Sequence, residues 1–234
     1  MVDAQSAQTP EAGVDRRKQI VRRGYDTLAG VYSTARTPLG RRDGKYLALF
    51  GERLPPGSTV LDLGCGSGVP ITKALALRYR VLGIDFSAKQ IELARRRVPR
   101  ATFRKADMTT VSFPPQSFDA ICSILAVIHV PREEHRALFR RMHRWLKPGG
   151  LLLVALGTNN WVSSDADRFM GVPMYWSQFD VPTSKRLLED SGFQILESSV
   201  ESSTFGGEYE EHLYVLAAKA STRRAAVETR ALGP

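Results

Sequence analysis

The amino-acid sequence predicts one α/β domain whose mostly parallel sheet carries helices on both faces. Three observations predict it. Val60, Leu61 and Leu63 make a short apolar run that reads as a buried strand, glycines follow at 64, 66 and 68, and 71–77 has a helical pattern. Strand, glycine turn and helix in that order are the first half of a βαβ unit. Short apolar strands then alternate with helices as far as residue 156, and 234 residues with 43% hydrophobic content supply one sizeable core.

The elements follow in order. Residues 1–13 read as a disordered N-terminus. A helix is expected over 14–31, with Ile20, Val21, Leu28 and Val31 apolar, and a second near 45–52, ahead of the Pro55-Pro56-Gly57 turn. The second strand, 80–84, closes on Asp85-Phe86-Ser87, where Ser87 is placed to cap a helix over 88–98. A third strand at 101–106 leads to Asp107 and Met108, and a fourth at 118–125 follows the turn at 114–117. The helix over 131–146 buries Leu138, Met142, Trp145 and Leu146, and Lys147-Pro148-Gly149-Gly150 stops it before a fifth, central strand at 151–156. A helix at 182–191 and strands at 193–200 and 212–219 complete the pattern, the last strand antiparallel, with a flexible tail over 220–234.

Residues 157–181 break that pattern, with many aromatic residues and no clean period. Long aromatic loops are usually functional, so this segment is expected to cap an apolar substrate pocket through Trp161, Met174, Tyr175 and Trp176. The competing expectation is a short helix that only covers the sheet.

Composition narrows the setting. No apolar run reaches transmembrane length, and the start of the chain is no signal peptide. Two cysteines, with neither a disulfide framework nor zinc spacing, suggest a reducing cytoplasm and no metal; Cys65 reads as a small turn residue. The net charge of +9 is spread over three arginine-bearing helices. That distribution reads as a solvated surface, so neither nucleic acid nor membrane is an expected partner.

The glycines do not fit a dinucleotide fingerprint, because Val69 stands where its last glycine belongs, and no Walker A ending is present. A carboxylate such as Asp85 at the end of the second strand can accept from both hydroxyls of a ribose, with Phe86 beside an adenine. The pattern Asp62-x-Gly64-x-Gly66-x-Gly68, taken with Asp85, Asp107-Met108, Phe118-Asp119 and Leu146-Lys147-Pro148-Gly149-Gly150, resembles the class I S-adenosylmethionine-dependent methyltransferases over roughly residues 14–219.

The resemblance implies a Rossmann-like seven-stranded sheet of order 3-2-1-4-5-7-6 with the last strand antiparallel. It implies S-adenosylmethionine as cofactor and S-adenosylhomocysteine as product. Cofactor contacts are then expected from Tyr25 and Tyr32 in an N-terminal helical lid over 14–53, from Asp62, Gly64, Cys65 and Gly66, from Asp85, Phe86, Asp107 and Met108, and from Ser123 and Leu125. Two half-buried tyrosines on an amphipathic helix are the other reading of Tyr25 and Tyr32.

The expected reaction is in-line transfer of a methyl group to an oxygen or nitrogen, rather than a carbon, of a small aromatic or secondary-metabolite acceptor. His129, after the fourth strand, and His212, at the start of the seventh, are the candidate bases, while His135 and His143 are expected at the surface. Ser123-Ile124-Leu125-Ala126 stands where base-amino methyltransferases carry N-P-P-Y. An RNA or protein methyltransferase and a non-catalytic cofactor-binding subunit remain as alternatives. A monomer or homodimer is expected.

Overall fold

The computed structural model describes residues 15–35, 39–164, 167–205 and 207–221. The expected disordered segment 1–13 and nearly all of the expected tail lie outside them. Seven strands form the main sheet: β1 (Thr59–Leu63), β2 (Arg80–Asp85), β3 (Thr102–Lys105), β4 (Phe118–Ile124), β5 (Leu146–Leu156), β6 (Phe193–Phe205) and β7 (Glu208–Lys219). Their order is 3-2-1-4-5-7-6. β1 to β5 run parallel, and β7 is antiparallel to both β5 and β6. Order and directions are those implied by the resemblance.

Alternation along the strands feeds two cores. Leu61, Leu63, Ile121, Leu152, Val154 and Val215 point to the face covered by α5 (His135–Trp145) and α6 (Val181–Glu189). Val60, Cys122, Leu153, Ala155 and Leu216 point to the face covered by α2 (Arg41–Arg53) and α3 (Ile71–Leu75), where Tyr46, Phe50 and Leu75 meet them. Trp145, Tyr46 and Phe50 are fully enclosed, and burying each such side chain contributes about 1.5–3 kcal/mol. α4 (Ala88–Arg97) packs on β3, and Ser87 caps it by accepting from the Gln90 amide.

α1 (Arg16–Ala35) crosses the carboxyl edge of the sheet. Lys18 Nζ donates to Thr109 Oγ1 at 2.6 Å and to Glu134 Oε2 at 2.7 Å, and Ser87 Oγ donates to Asp26 Oδ1 at 2.6 Å. One helix is thereby tied to segments that follow β2, β3 and β4.

Three expectations are corrected. β6 and β7 are longer than 193–200 and 212–219; β7 pairs with β5 only from Leu213 to Ala218, so the rest of the hairpin projects past the end of β5 as an arm. Residues 157–181 form neither a helix nor a single loop. They make two short antiparallel ribbons, Trp161–Val162 with Ser177–Gln178 and Arg168–Phe169 with Val172–Pro173. His135 is buried, because its Nε2 donates back to the Val130 carbonyl at 2.9 Å and its ring lies against Phe139 and Phe179.

Candidate active site

The turn after β1 is set by backbone geometry. The amides of Gly64 and Cys65 both donate to the Ile84 carbonyl, at 2.8 and 3.0 Å. Gly64 has φ +76°, and a Cβ there would stand 2.2 Å from Ala126 Cβ. At Gly66 (φ +53°) an added Cβ would meet only Gln90 Oε1, at 3.9 Å, so the main chain lies open on that side. The Cys65 sulfur packs under Gly83, and burial pushes its thiol well up, which makes it a turn residue and not a nucleophile.

Two carboxylates organise this turn. Asp62, on β1 and 2% exposed, accepts from Thr72 Oγ1 at 2.6 Å and so fastens the strand to α3. Burial pushes it up to about 7, against the Thr72 hydrogen bond and with Asp85 adding to the rise. Asp85 accepts the Gly66 amide on Oδ2 at 3.0 Å and the Ser87 amide on Oδ1 at 2.9 Å. Burial raises it to about 6 despite these bonds. Each oxygen keeps a further lone pair, and the carboxylate faces a cleft of about 370 Å³, a volume within the usual range for small-molecule sites.

The cleft gathers most of the expected residues. Asp62, Gly64, Cys65 and Gly66 line it from the turn, Asp85 and Phe86 from the end of β2, Asp107 and Met108 from beyond β3, and Leu125 and His129 from beyond β4. Tyr25 and Tyr32 close it from α1. Leu125 has φ +55°, a left-handed conformation costly for a branched side chain and held where β4 opens onto the cleft. Asp107 Oδ1 is taken by the Thr109 amide and hydroxyl at 2.7 and 2.8 Å.

His129 and Tyr25 form a hydrogen-bonded pair. His129 Nδ1 lies 2.7 Å from the Tyr175 carbonyl, which can only accept, so Nδ1 carries the proton. Nε2 is left as an acceptor, and the Tyr25 hydroxyl donates to it at 2.8 Å. Burial lowers the imidazole to about 4, with the Tyr175 carbonyl opposing the fall. At neutral pH His129 is therefore an uncharged base behind a tyrosine hydroxyl.

Other expected residues fall elsewhere. Ser123 is fully buried and does not line the cleft; its hydroxyl donates to the Leu63 carbonyl at 2.9 Å and braces the end of β1. His212 also lies outside the lining, because its Nδ1 is occupied by Arg42 Nη1 at 3.3 Å. Among the described residues, none of 157–181 lines the cleft. Met174 packs on α1, close enough that a Cβ on Gly24 would be 2.8 Å from its Cε, and Tyr175 joins the same cluster. Trp176 lies between His129 and Trp161, with ring centroids at 5.7 and 5.5 Å. The ribbons thus brace His129 from behind instead of forming the wall of this cleft; with Arg16, Arg17 and Ile20 they line a separate pocket of about 240 Å³.

That wall comes from residues the sequence did not single out: Ser202 to Phe205 on the hairpin arm and Gly40 to Asp43 at the start of α2. Gln90, which lies beside the glycine turn without lining the cleft, is a further residue the sequence did not single out. It is 1% exposed, and its Oε1, beside Gly66, has no hydrogen-bond partner among the described residues. Its position in the first turn of α4 beside a glycine turn was the only signal available. No group of three or more His, Cys, Asp or Glu that could hold a metal occurs among the described residues. No helix among them is long and apolar enough to cross a membrane.

Comparison with known proteins agrees with this geometry. Residues 60–150 match the family model described as a methyltransferase domain. Phosphoethanolamine N-methyltransferase 1 of Arabidopsis thaliana is 29% identical over 80% of this chain and 37% of its own length. The 2-methyl-6-phytyl-1,4-hydroquinone methyltransferase of Synechocystis is 38% identical over 59% of this chain and 41% of its own length. The chain thus spans well under half the length of these curated relatives. Among solved structures, phosphoethanolamine N-methyltransferase 2 of Haemonchus contortus, in complex with phosphomonomethylethanolamine and S-adenosylhomocysteine, shares the fold at TM-score 0.67 and 19% identity, over 89% of this chain and 61% of that one. Turn, strand order, matched domain and relatives converge: residues 60–150 carry a methyltransferase domain, set in the sheet order of the class I S-adenosylmethionine-dependent methyltransferases.

Proposed function

We propose that the chain binds S-adenosylmethionine in this cleft and directs its methyl group to an oxygen or nitrogen of a small acceptor. One observation carries the reading: the Asp85–Gly66 cradle and the Tyr25–His129 pair line the same cleft. Relatives named for phosphoethanolamine and for a hydroquinone support a small molecule over RNA or protein as acceptor.

The residues present fit the cofactor. Asp62 and Asp85 are enclosed carboxylates that hydrogen-bond to no basic side chain among the described residues, which suits a ligand bearing an ammonium and a sulfonium. Gln90 Oε1 is a buried acceptor awaiting a donor. Once bound, the cofactor supplies a methyl group made electrophilic by positive sulfur. Asp85 would hold the ribose, Gly66 the amino-acid arm, and Asp107 with Met108 the adenine. α1, within an N-terminal lid over 14–53 of a domain spanning 14–219, would cover the cleft and keep water out through Tyr25 and Tyr32.

Tyr25 would take the acceptor's proton as His129 takes the phenolic one. A base near 4 is weak, but it suffices for a nucleophile that turns strongly acidic as its bond to carbon forms.

The test is calorimetric titration with S-adenosylhomocysteine, followed by transfer of labelled methyl to a panel of phenols, carboxylates and amines. Failure to bind overturns the cofactor assignment. Binding with no turnover across the panel would favour a non-catalytic subunit.

Two further outcomes are expected. Gln90→Leu removes an unsatisfied buried acceptor together with one long hydrogen bond, from Nε2 to the Tyr25 carbonyl at 3.5 Å, so the ligand-free protein should melt close to wild type. S-adenosylhomocysteine should nonetheless bind about tenfold more weakly, as expected for one lost hydrogen bond. Cofactor affinity should also depend on pH. Both carboxylates are raised in the ligand-free fold, so what they contribute to its stability is largest below about 4 and falls as pH rises through about 6 and 7. A cationic ligand favours their charged forms, so binding at pH 6–7 should release protons and tighten towards pH 8. Titration in buffers of different ionisation heat reads the protons directly, and Asp62→Asn should reduce their number.

A further inference from the structure

The strand order sets two ends to the cleft. Asp85 and Asp107 stand at its β2–β3 end, whereas the hairpin arm rises beside β5, across β1 and β4. At the arm's end the cleft is walled by Ser202 to Phe205 and by the start of α2. These walls are clamped together. Tyr214 Oη donates to Asp43 Oδ1 at 2.6 Å, Lys45 Nζ to Glu201 Oε1 at 2.5 Å, and Arg42 lies 3.6 Å from Glu210 and 3.3 Å from His212. Arg42 and Asp43 are 8% and 7% exposed, so this end is preformed.

We propose that this end of the cleft binds an oxyanion of the acceptor, a carboxylate or a phosphate, with Arg41 as the binding residue. The inference rests on the methyl-transfer reading, since it names the class of molecule that enters beside the cofactor. Four observations support it. Arg41 lines the cleft at its rim, exposed, and has no partner among the described residues. Its guanidinium offers a planar fork of donors that matches either anion. Ser203 lines the same end, and its buried hydroxyl has no hydrogen-bond partner among the described residues, a second donor at hand. α2 starts after the N-cap Gly40 with no side-chain cap, at the rim, and the dipole at a helix start favours negative charge.

Asp43 sits in the same rim and opposes an anion. One of its oxygens is taken by Tyr214, and Arg42 and Lys45 are matched by Glu210 and Glu201, so Arg41 is the cation left to meet an anion at this rim. Phe205 and Tyr32, with ring centroids 6.2 Å apart, leave an apolar surface beside this rim for the body of the acceptor.

Inorganic phosphate and acetate, titrated separately into protein saturated with S-adenosylhomocysteine, test the proposal. Saturable binding of at least one is expected, and which one binds separates a phosphate-bearing from a carboxylate-bearing acceptor. Arg41→Gln should weaken that binding about tenfold, the loss of one charge-assisted pair, and Arg41→Lys should recover part of it. Arg140→Gln, at an exposed position on α5, should leave it unchanged. Absence of saturable binding by both anions, or an equal loss in Arg140→Gln, would overturn the proposal. The S-adenosylhomocysteine titration read alongside separates the two levels. Intact cofactor affinity with no anion binding sinks only the anion site, whereas no cofactor affinity sinks the methyl-transfer reading and the anion site with it.

Discussion

Asp85→Asn is expected to weaken S-adenosylhomocysteine binding by about two orders of magnitude, roughly 3 kcal/mol, the sum expected for two charge-assisted hydrogen bonds to a ribose diol. The substitution acts twice. Asparagine offers one acceptor oxygen where aspartate offers two, so it cannot receive both the Gly66 and the Ser87 amides. Its amide nitrogen would face one of those N–H groups, donor against donor. The glycine turn would loosen at the point where the amino-acid arm of the cofactor is expected to lie, while the sugar loses its acceptors. Stability of the ligand-free protein should change much less. Burial already raises the carboxyl to about 6, so at neutral pH the fold holds a charge it disfavours, and losing that charge offsets part of the damage. Calorimetry of the variant, with a thermal melt as control, separates the two effects. An affinity within a factor of three of wild type would mean that Asp85 serves the turn alone.

This double use of Asp85 shows what a linear reading can and cannot reach. Its place at the end of a strand was legible from the apolar run before it, and so was the turn from glycines at alternate positions. That its oxygens already hold two backbone amides depends on how the turn and the next helix meet in space. Strand faces were readable for the same local reason, since Leu61 and Leu63 alternate with Val60 and Asp62. The hairpin arm was not, because Ser202, Ser203 and Thr204 lack the apolar alternation that marks a strand. The arm is held by α2, which lies more than 150 residues earlier in the chain. His212 reads as a candidate base in the sequence because its neighbours give no sign that an arginine 170 positions away occupies its ring. The aromatic ribbons raised the same difficulty: Trp161 and Trp176 do reach the site, but through His129 and not through the cleft.

Tyr25→Phe is expected to lower kcat by about 100-fold with whichever acceptor turns over, the low end of what a positioned acid–base group contributes. S-adenosylhomocysteine affinity should stay within about threefold, because the phenyl ring keeps its packing against Tyr32, with centroids 5.3 Å apart, and loses only the hydroxyl. His129→Gln should lower kcat similarly, and the double variant should be little worse than either single one, since the hydroxyl and the imidazole share one proton path through a 2.8 Å hydrogen bond. The pH profile separates this role from a structural one. With the imidazole lowered to about 4, the wild-type rate should hold level from neutral pH down to about 5 and fall below it as Nε2 becomes protonated and stops accepting. Tyr25→Phe should flatten that fall, which a mere loss of packing would leave in place. If the hydroxyl only anchors α1, the variant would instead raise KM and speed hydrogen exchange along the helix at unchanged kcat. Full activity in both single variants would mean that alignment and exclusion of water suffice for the transfer, and that the acceptor sheds its proton to solvent.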